Sequence, residues 1–280
     1  MPLSQVVSTQ KFVQSPEKGK LILVSWPYPA LPLLTHFLTQ VNVRRTPATE
    51  VCAMKNTHTP ELCPEAARRA HLPRASKWIG VLFLLPMLAY GGGSAWMGAL
   101  LQGDAIAATW QWAGAALLLA SNSVIVVLIA LRFYPLVKDI HGGTAVAYLA
   151  ARFAEAVLLL IGLLAQLMVA PMLTPDAWPS GDAHSIVDAG IHVNFQAYQL
   201  AMVALGVGSL PLFALLGRTG MLPHGLAWWA IGGYSLLALG AIGELCGLPY
   251  GIALSIPGGL LEVTLGIWLI VKGLRPPKTA

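Results

Sequence analysis

Six long apolar runs dominate the chain and leave it few ways to fold. They occupy residues 78–101, 109–131, 144–170, 192–216, 223–246 and 249–271. Each is long enough to cross a hydrocarbon core, which takes about 20 residues of helix. Transmembrane strands would be shorter and would alternate polar with apolar residues, and these runs do neither. Composition agrees: hydrophobic residues make up 56% of the chain and charged residues only 10%, where a soluble domain is roughly a quarter charged. A 280-residue chain with a mean hydropathy of +0.68 cannot cover itself with polar surface, so lipid is the solvent for most of it. The expected fold class is all-α, a polytopic membrane bundle of six transmembrane helices.

Charge orients the bundle. Arg68, Arg69, Arg74 and Lys77 precede the first run, Arg132 and Lys138 follow the second, and Arg218 follows the fourth. Lys272, Arg275 and Lys278 follow the sixth. The opposite connections are LQGDA, residues 171–191 and GLPY, and they hold no Lys or Arg. By the positive-inside rule both termini face the cytoplasm, and the expected location is a plasma membrane. The net charge of +5 is that asymmetry and calls for no nucleic acid. Trp78, Trp228, Trp229 and Trp268 lie toward the basic end, where aromatic belts form.

Three regions follow: a polar N-terminal extension over 1–75, read as unstructured, a six-helix domain over 76–274, and a basic tail over 275–280. The run LILVSWPYPALPLLTHFL at 21–38 approaches span length, but Pro27, Pro29 and Pro32 each break helical hydrogen bonding, so it is read as loop or peripheral segment. Met54 is an alternative start for the natural chain; peptides from residues 1–53 in the native protein would rule that out. Cys52, Cys63 and Cys246 make neither a disulfide framework nor a zinc spacing, and Cys246 is expected to be a small buried side chain.

The third run carries Arg152 and Glu155 inside YLAARFAEAVLLL. A charge at mid-bilayer costs roughly 2.5–3.5 kcal/mol on insertion scales, so such residues face protein or water and need partners. At about 1.5 Å of rise per residue, Arg152 lies roughly 13 Å deep, Glu155 roughly 18 Å and Glu262 of the sixth run roughly 15 Å. Asn122, Ser209, Tyr234 and Ser235 fall near the same layer. Residues three apart share a helix face. That face is expected to meet the sixth span, with Arg152 paired to Glu262 or Glu155. One guanidinium and two carboxylates leave a surplus negative charge, to be met by a proton, a cation or further donors. Glu244, near the outer end of the fifth span, reads as a solvated or snorkelling end residue.

Pro86, Pro211 and Pro257 fall within spans, and each frees a backbone carbonyl one turn earlier and invites a kink. SIPGGLLE sets Pro257, Gly258 and Gly259 immediately before Glu262, where a kink would open a cavity beside the carboxylate; close packing at the glycines is the alternative.

The sequence lacks HExxH, G-x-S-x-G and P-loop motifs. No pair of mid-span histidines is available for haem and no mid-span lysine for a retinal Schiff base, so no cofactor is expected. His184, Asp188 and His192, spaced i, i+4, i+8, are a weak candidate for a divalent metal, since the helix was not expected to reach back that far.

Three stretches resemble a bacterial membrane family known as domain of unknown function 4386. GRTGMLPHGLAW carries matching Arg218, Gly220, Pro223 and Leu226 in a short cytoplasmic turn, and LEVTLGIWLIVKGL carries Glu262, Trp268, Lys272 and Gly273. ARFAEAVLL carries Arg152 and Glu155. The resemblance covers residues from about 75 to 274 and implies six spans in a bacterial plasma (inner) membrane, with no activity attached. The turn also has a physical reading: Gly220 permits a left-handed helix end and Pro223 suits the first turn of the next helix.

Three functions fit. The first is a protein that binds or moves a small molecule or ion through the Arg/Glu layer. The second is a non-catalytic structural or accessory subunit that binds a membrane protein partner. The third is an intramembrane enzyme acting on lipid. The first requires a cavity reaching the polar layer, the second a dry packed layer, the third a lateral opening with a nucleophile or metal beside the carboxylates.

Overall fold

The computed structural model describes residues 12–14, 21–23, 64–102, 108–170 and 182–277, with the backbone alone of 12–14, 21–23, 64–71 and 182–184. Residues up to Pro60 form one compact unit and Glu61 onward another. In the first unit β1 (Phe12–Gln14) and β2 (Leu21–Leu23) pair antiparallel, with Val13 opposite Ile22. The remainder of the proline-rich 21–38 stretch lies outside the described residues, as do Cys52 and Cys63.

The second unit is helical. Its elements are α1 (Pro64–Gln102), α2 (Thr109–Val137), α3 (Gly142–Val169), α4 (Asp182–Arg218), α5 (His224–Leu245) and α6 (Gly251–Val271). All six are long and apolar enough to cross a membrane. Two begin earlier than the apolar runs. α1 starts at Pro64, so residues 64–75, expected in an unstructured extension, are helical; Pro73 stands inside the helix. α4 starts at Asp182 and takes in the polar stretch before His192. Apolar run length marks where lipid is met; the helix itself continues for as long as backbone hydrogen bonds can be made.

Each helix packs mainly on its neighbours in the chain, and α1 packs on α6, so the six close into a ring. Small residues bring the backbones close, as in membrane bundles generally. A Cβ at Gly206 of α4 would lie 2.7 Å from the Tyr234 carbonyl oxygen of α5, and one at Gly162 of α3 would lie 2.6 Å from Asn194 Oδ1 of α4. The outer surface is apolar: Leu88, Phe153, Met168, Leu239, Ile252 and Val271 are all well exposed. So broad an apolar exterior on a folded chain marks a surface solvated by something other than water.

The basic end of the ring is tied by specific bonds. The His141 ring accepts from the Thr144 N–H at 3.1 Å and caps α3. Gly220 takes φ of 69° in the turn between α4 and α5, a left-handed conformation that favours glycine. Pro223 stands at the N-cap of α5, one position ahead of the first turn. Ser76 Oγ of α1 donates to the Leu72 carbonyl at 2.7 Å and accepts from the Leu274 N–H at 3.0 Å. The Arg275 N–H then reaches the Met221 carbonyl at 3.0 Å, joining the chain after α6 to the turn after α4.

At the opposite end two expectations change. Glu244 is partly exposed and has a specific partner besides: its Oε1 accepts from the Gly251 N–H at 2.8 Å and caps α6, where a carboxylate meets unpaired amides and the positive end of the helix dipole. Cys246 is exposed at the C-terminus of α5, not buried, because α5 ends at Leu245 and the chain turns there.

Candidate functional site

The buried residues of α3 explain how a charge pair sits in an apolar helix. Ala145, Tyr148, Arg152, Glu155, Leu159, Gly162, Gln166 and Val169 advance in steps of three and four, making one seam along the helix. Phe153, Leu164 and Met168, on the other side, are exposed. Arg152 and Glu155 therefore point into the ring, and each is 2% exposed.

Arg152 is well provided for. Its Nη1 donates to Glu155 Oε2 at 2.8 Å, and its Nε donates to the Val126 carbonyl of α2 at 3.3 Å. Its guanidinium carbon lies 5.9 Å from the centre of the Tyr148 ring, one turn earlier on the same seam. Of the two partners expected for Arg152, Glu155 is the one it takes.

Glu262 is held differently. Its Oε1 accepts from the Tyr234 hydroxyl of α5 at 3.0 Å, and Tyr234 in turn stacks on Phe213 of α4 with centroids 5.4 Å apart. The α3 face, expected to meet α6, does not pack mainly on it, since the main neighbours of α3 are α2 and α4. A cavity of about 280 Å³ lies between them instead. All six helices line it, Arg152, Glu155, Asn122 and Glu262 among their contributions. The ring closes through neighbouring helices, and side chains do not fill its middle at this level.

Asn122 is 3% exposed and, among the described residues, its Oδ1 has no hydrogen-bond partner. An unmet buried polar atom costs about 1–3 kcal/mol, and Asn122 bears that cost beside the cavity that its side chain helps to line. Ser209 Oγ is likewise buried and unpartnered, but Ser209 lies outside the cavity lining, as do Tyr234 and the half-buried Ser235.

A second cavity of about 290 Å³ is lined by Ser94, Gln166 and Asn194 and shares Tyr90, Leu159 and Tyr198 with the first. Tyr90 of α1 and Tyr198 of α4 stack between the two, with centroids 5.3 Å apart and planes inclined by 17°. Sequence reasoning named neither tyrosine. Depth arithmetic places Tyr90 roughly 20 Å from Lys77, close to the layer, but Tyr198 roughly 30 Å from Arg218, well beyond it, so it would have found the first and missed the second.

The other named positions fall as follows. Pro86 lines the first cavity from α1. Pro257 stands inside α6 just before Gly258 and Gly259, which also line it. Pro211 is exposed on α4, away from the cavity. Arg218 is exposed at the end of α4, in its last turn. α4 does run back through 184, so His184, Asp188 and His192 share a helix; the His184 side chain lies outside the described residues, and Asp188 and His192 are exposed. Among the described residues no group of three His, Cys, Asp or Glu is placed to hold a metal ion.

Residues 78–273 match the family model described as Domain of unknown function (DUF4386). No curated protein and no solved structure matches the chain.

Proposed function

We propose, for a chain that belongs to the DUF4386 family, that it is a multi-pass membrane protein which binds, and in doing so moves or senses, a small molecule or ion at the Arg152–Glu155–Glu262 layer. One observation carries this reading: the central cavity, bounded by the ion pair from α3 and by Glu262 from α6. A network serving only to lock helices together is satisfied without space, because its polar atoms then pair directly. Here Asn122 Oδ1 lacks a partner, and Glu262 keeps a face toward the cavity after bonding Tyr234. The alternation of basic and Lys/Arg-free connections supports a plasma-membrane setting with both termini cytoplasmic.

The test is thermal stabilisation of the full chain in lipid nanodiscs by a panel of small inorganic cations, amines and organic acids. At least one compound is expected to raise the midpoint of the native protein and not that of Glu262→Gln, which keeps the shape and the acceptor for Tyr234. No shift with any compound, or equal shifts in both proteins, would overturn the reading.

A further inference from the structure

The route into the cavity says more about its ligand. Among the residues lining it, those freely exposed are Met87 and Gly91, both on α1. Facing them on α6 are Ser255, Gly259 and Glu262, all partly exposed. The cavity therefore communicates with the outside along the α1–α6 seam, between two adjacent members of the ring. Met87 is ten residues beyond Lys77, roughly 15 Å along the helix, and Gly259 is thirteen residues before Lys272, roughly 20 Å. Both depths fall well inside a hydrocarbon core about 30 Å thick, so the opening faces acyl chains.

The same seam is shut toward the basic end. A Cβ on Gly80 would sit 2.6 Å from the Gly266 carbonyl oxygen, and Leu84 lies against Gly266. At the level of the opening the glycines behave in the opposite way, for a Cβ on Gly91 or on Gly259 meets nothing within 4 Å. Toward the second cavity the stacked Tyr90 and Tyr198 stand across the path. Access from the side is the unobstructed direction.

The walls define what fits. Arg152 is committed to Glu155, to a backbone carbonyl and to an aromatic face. Glu262 has one neutral donor on Oε1 and faces the cavity, so the lining holds one more carboxylate than guanidinium. Aromatic Phe83, Tyr90 and Tyr198 line the same space, and aromatic rings attract cations.

We propose that the cavity takes an amphiphilic cation, an amine or quaternary ammonium carrying an apolar tail, which reaches Glu262 from the lipid through the α1–α6 window. This inference rests on the functional reading above and narrows it to a ligand class and a route.

The experiment is photo-crosslinking to the full chain in phosphatidylcholine nanodiscs, using decyltrimethylammonium with a diazirine in its tail, with labelled peptides located by mass spectrometry. Labelling is expected on residues 83–91 and 255–262 and is expected to be competed by unlabelled decyltrimethylammonium. Glu262→Gln is expected to lower site labelling about tenfold, the scale of one lost charge-assisted contact. Gly259→Leu, which fills open space at the window, is expected to lower it as much; Gly91→Leu does the same from the other side should Gly259→Leu fail to fold. Gly98→Leu, also set in open space on α1 but away from the cavity, leaves it unchanged. Equal competition by decyl sulfate, or labelling indifferent to Glu262→Gln, overturns the cationic ligand. If tetramethylammonium competes as well as the tailed probe and the window variants have no effect, the lateral route falls while the binding site stands. If the site is not labelled, the amphiphilic cation falls, while the functional reading falls only if the stabilisation panel also shows no shift.

Discussion

The two halves of the bundle are stabilised by different physics. Toward the basic end, helices touch backbone to backbone: Gly80 lies against Gly266, and Ser76 bonds the Leu274 N–H. At the level of the cavity the same helices, α1 and α6, stand apart, and polar contacts bridge neighbouring helices instead: Arg152 Nε reaches the Val126 carbonyl from α3 to α2, and the Tyr234 hydroxyl reaches Glu262 from α5 to α6. Along the α1–α6 seam, one stretch is held by shape and the other is left open, with polar contacts tying the helices around it. In lipid this distinction matters, since apolar side chains gain little by leaving acyl chains for one another, and association rests on close packing and polar contacts.

That contrast can be broken by mutation, beginning with the charges. Arg152→Ala leaves Glu155 buried without its partner and is expected to destabilise by about 3–5 kcal/mol, with most of the loss restored by adding Glu155→Gln. Unfolding midpoints in detergent, measured for both variants, would contradict a half tied by polar contacts if the second substitution restored nothing. Next is Gly80→Val, which drives a branched side chain into the Gly266 backbone and is expected to cost about 1–3 kcal/mol, read in the same assay. A neutral result there would mean that the shut half of the seam yields freely. Tyr234→Phe removes the one hydroxyl that Glu262 Oε1 accepts from and is expected to cost about 0.5–1.5 kcal/mol. Its more telling readout is labelling by the cationic probe, expected to persist because the carboxylate remains. Smallest is Gly91→Leu, expected to shift stability by less than about 0.5 kcal/mol while closing the window. A large loss of stability would show that Gly91 belongs with Gly80 and that the two halves are alike after all.

The sequence made the frame legible and hid the space inside it. Six spans follow from run length and composition alone, and the shared face of Arg152 and Glu155 follows from their spacing of three. Their partnership with each other was one of two options, because depth places Glu262 at the same level without saying how far across the ring it stands. The cavity was out of reach for the same reason: a local pattern records which face turns inward, not the width of what it turns toward. Gly80 and Gly91 look alike in a sequence, yet one touches a backbone and the other open space, a difference decided by residues on α6 some 170 positions away. The early starts of α1 at Pro64 and α4 at Asp182 were hidden because polar residues ended the apolar pattern before the helix ended. Glu244 is a related case, since its acceptor role depends on where the Gly251 amide is placed by the turn.

Ring closure through α1 and α6 has a consequence for biosynthesis. Chains emerge N-terminus first, and helices enter the bilayer in roughly that order. α1 therefore waits for nearly the whole chain to be made before its second neighbour exists, because the Ser76 bond to Leu274 spans 198 residues. Until then Gly80 lies bare to lipid, and the inner seam of α3, with its guanidinium and carboxylate, belongs to an open crescent of helices. The ion pair within α3 needs no later helix, being made between residues three apart. A nascent chain can thus shelter its most costly charges from the moment the third helix is inserted and complete the chamber only when the last one arrives.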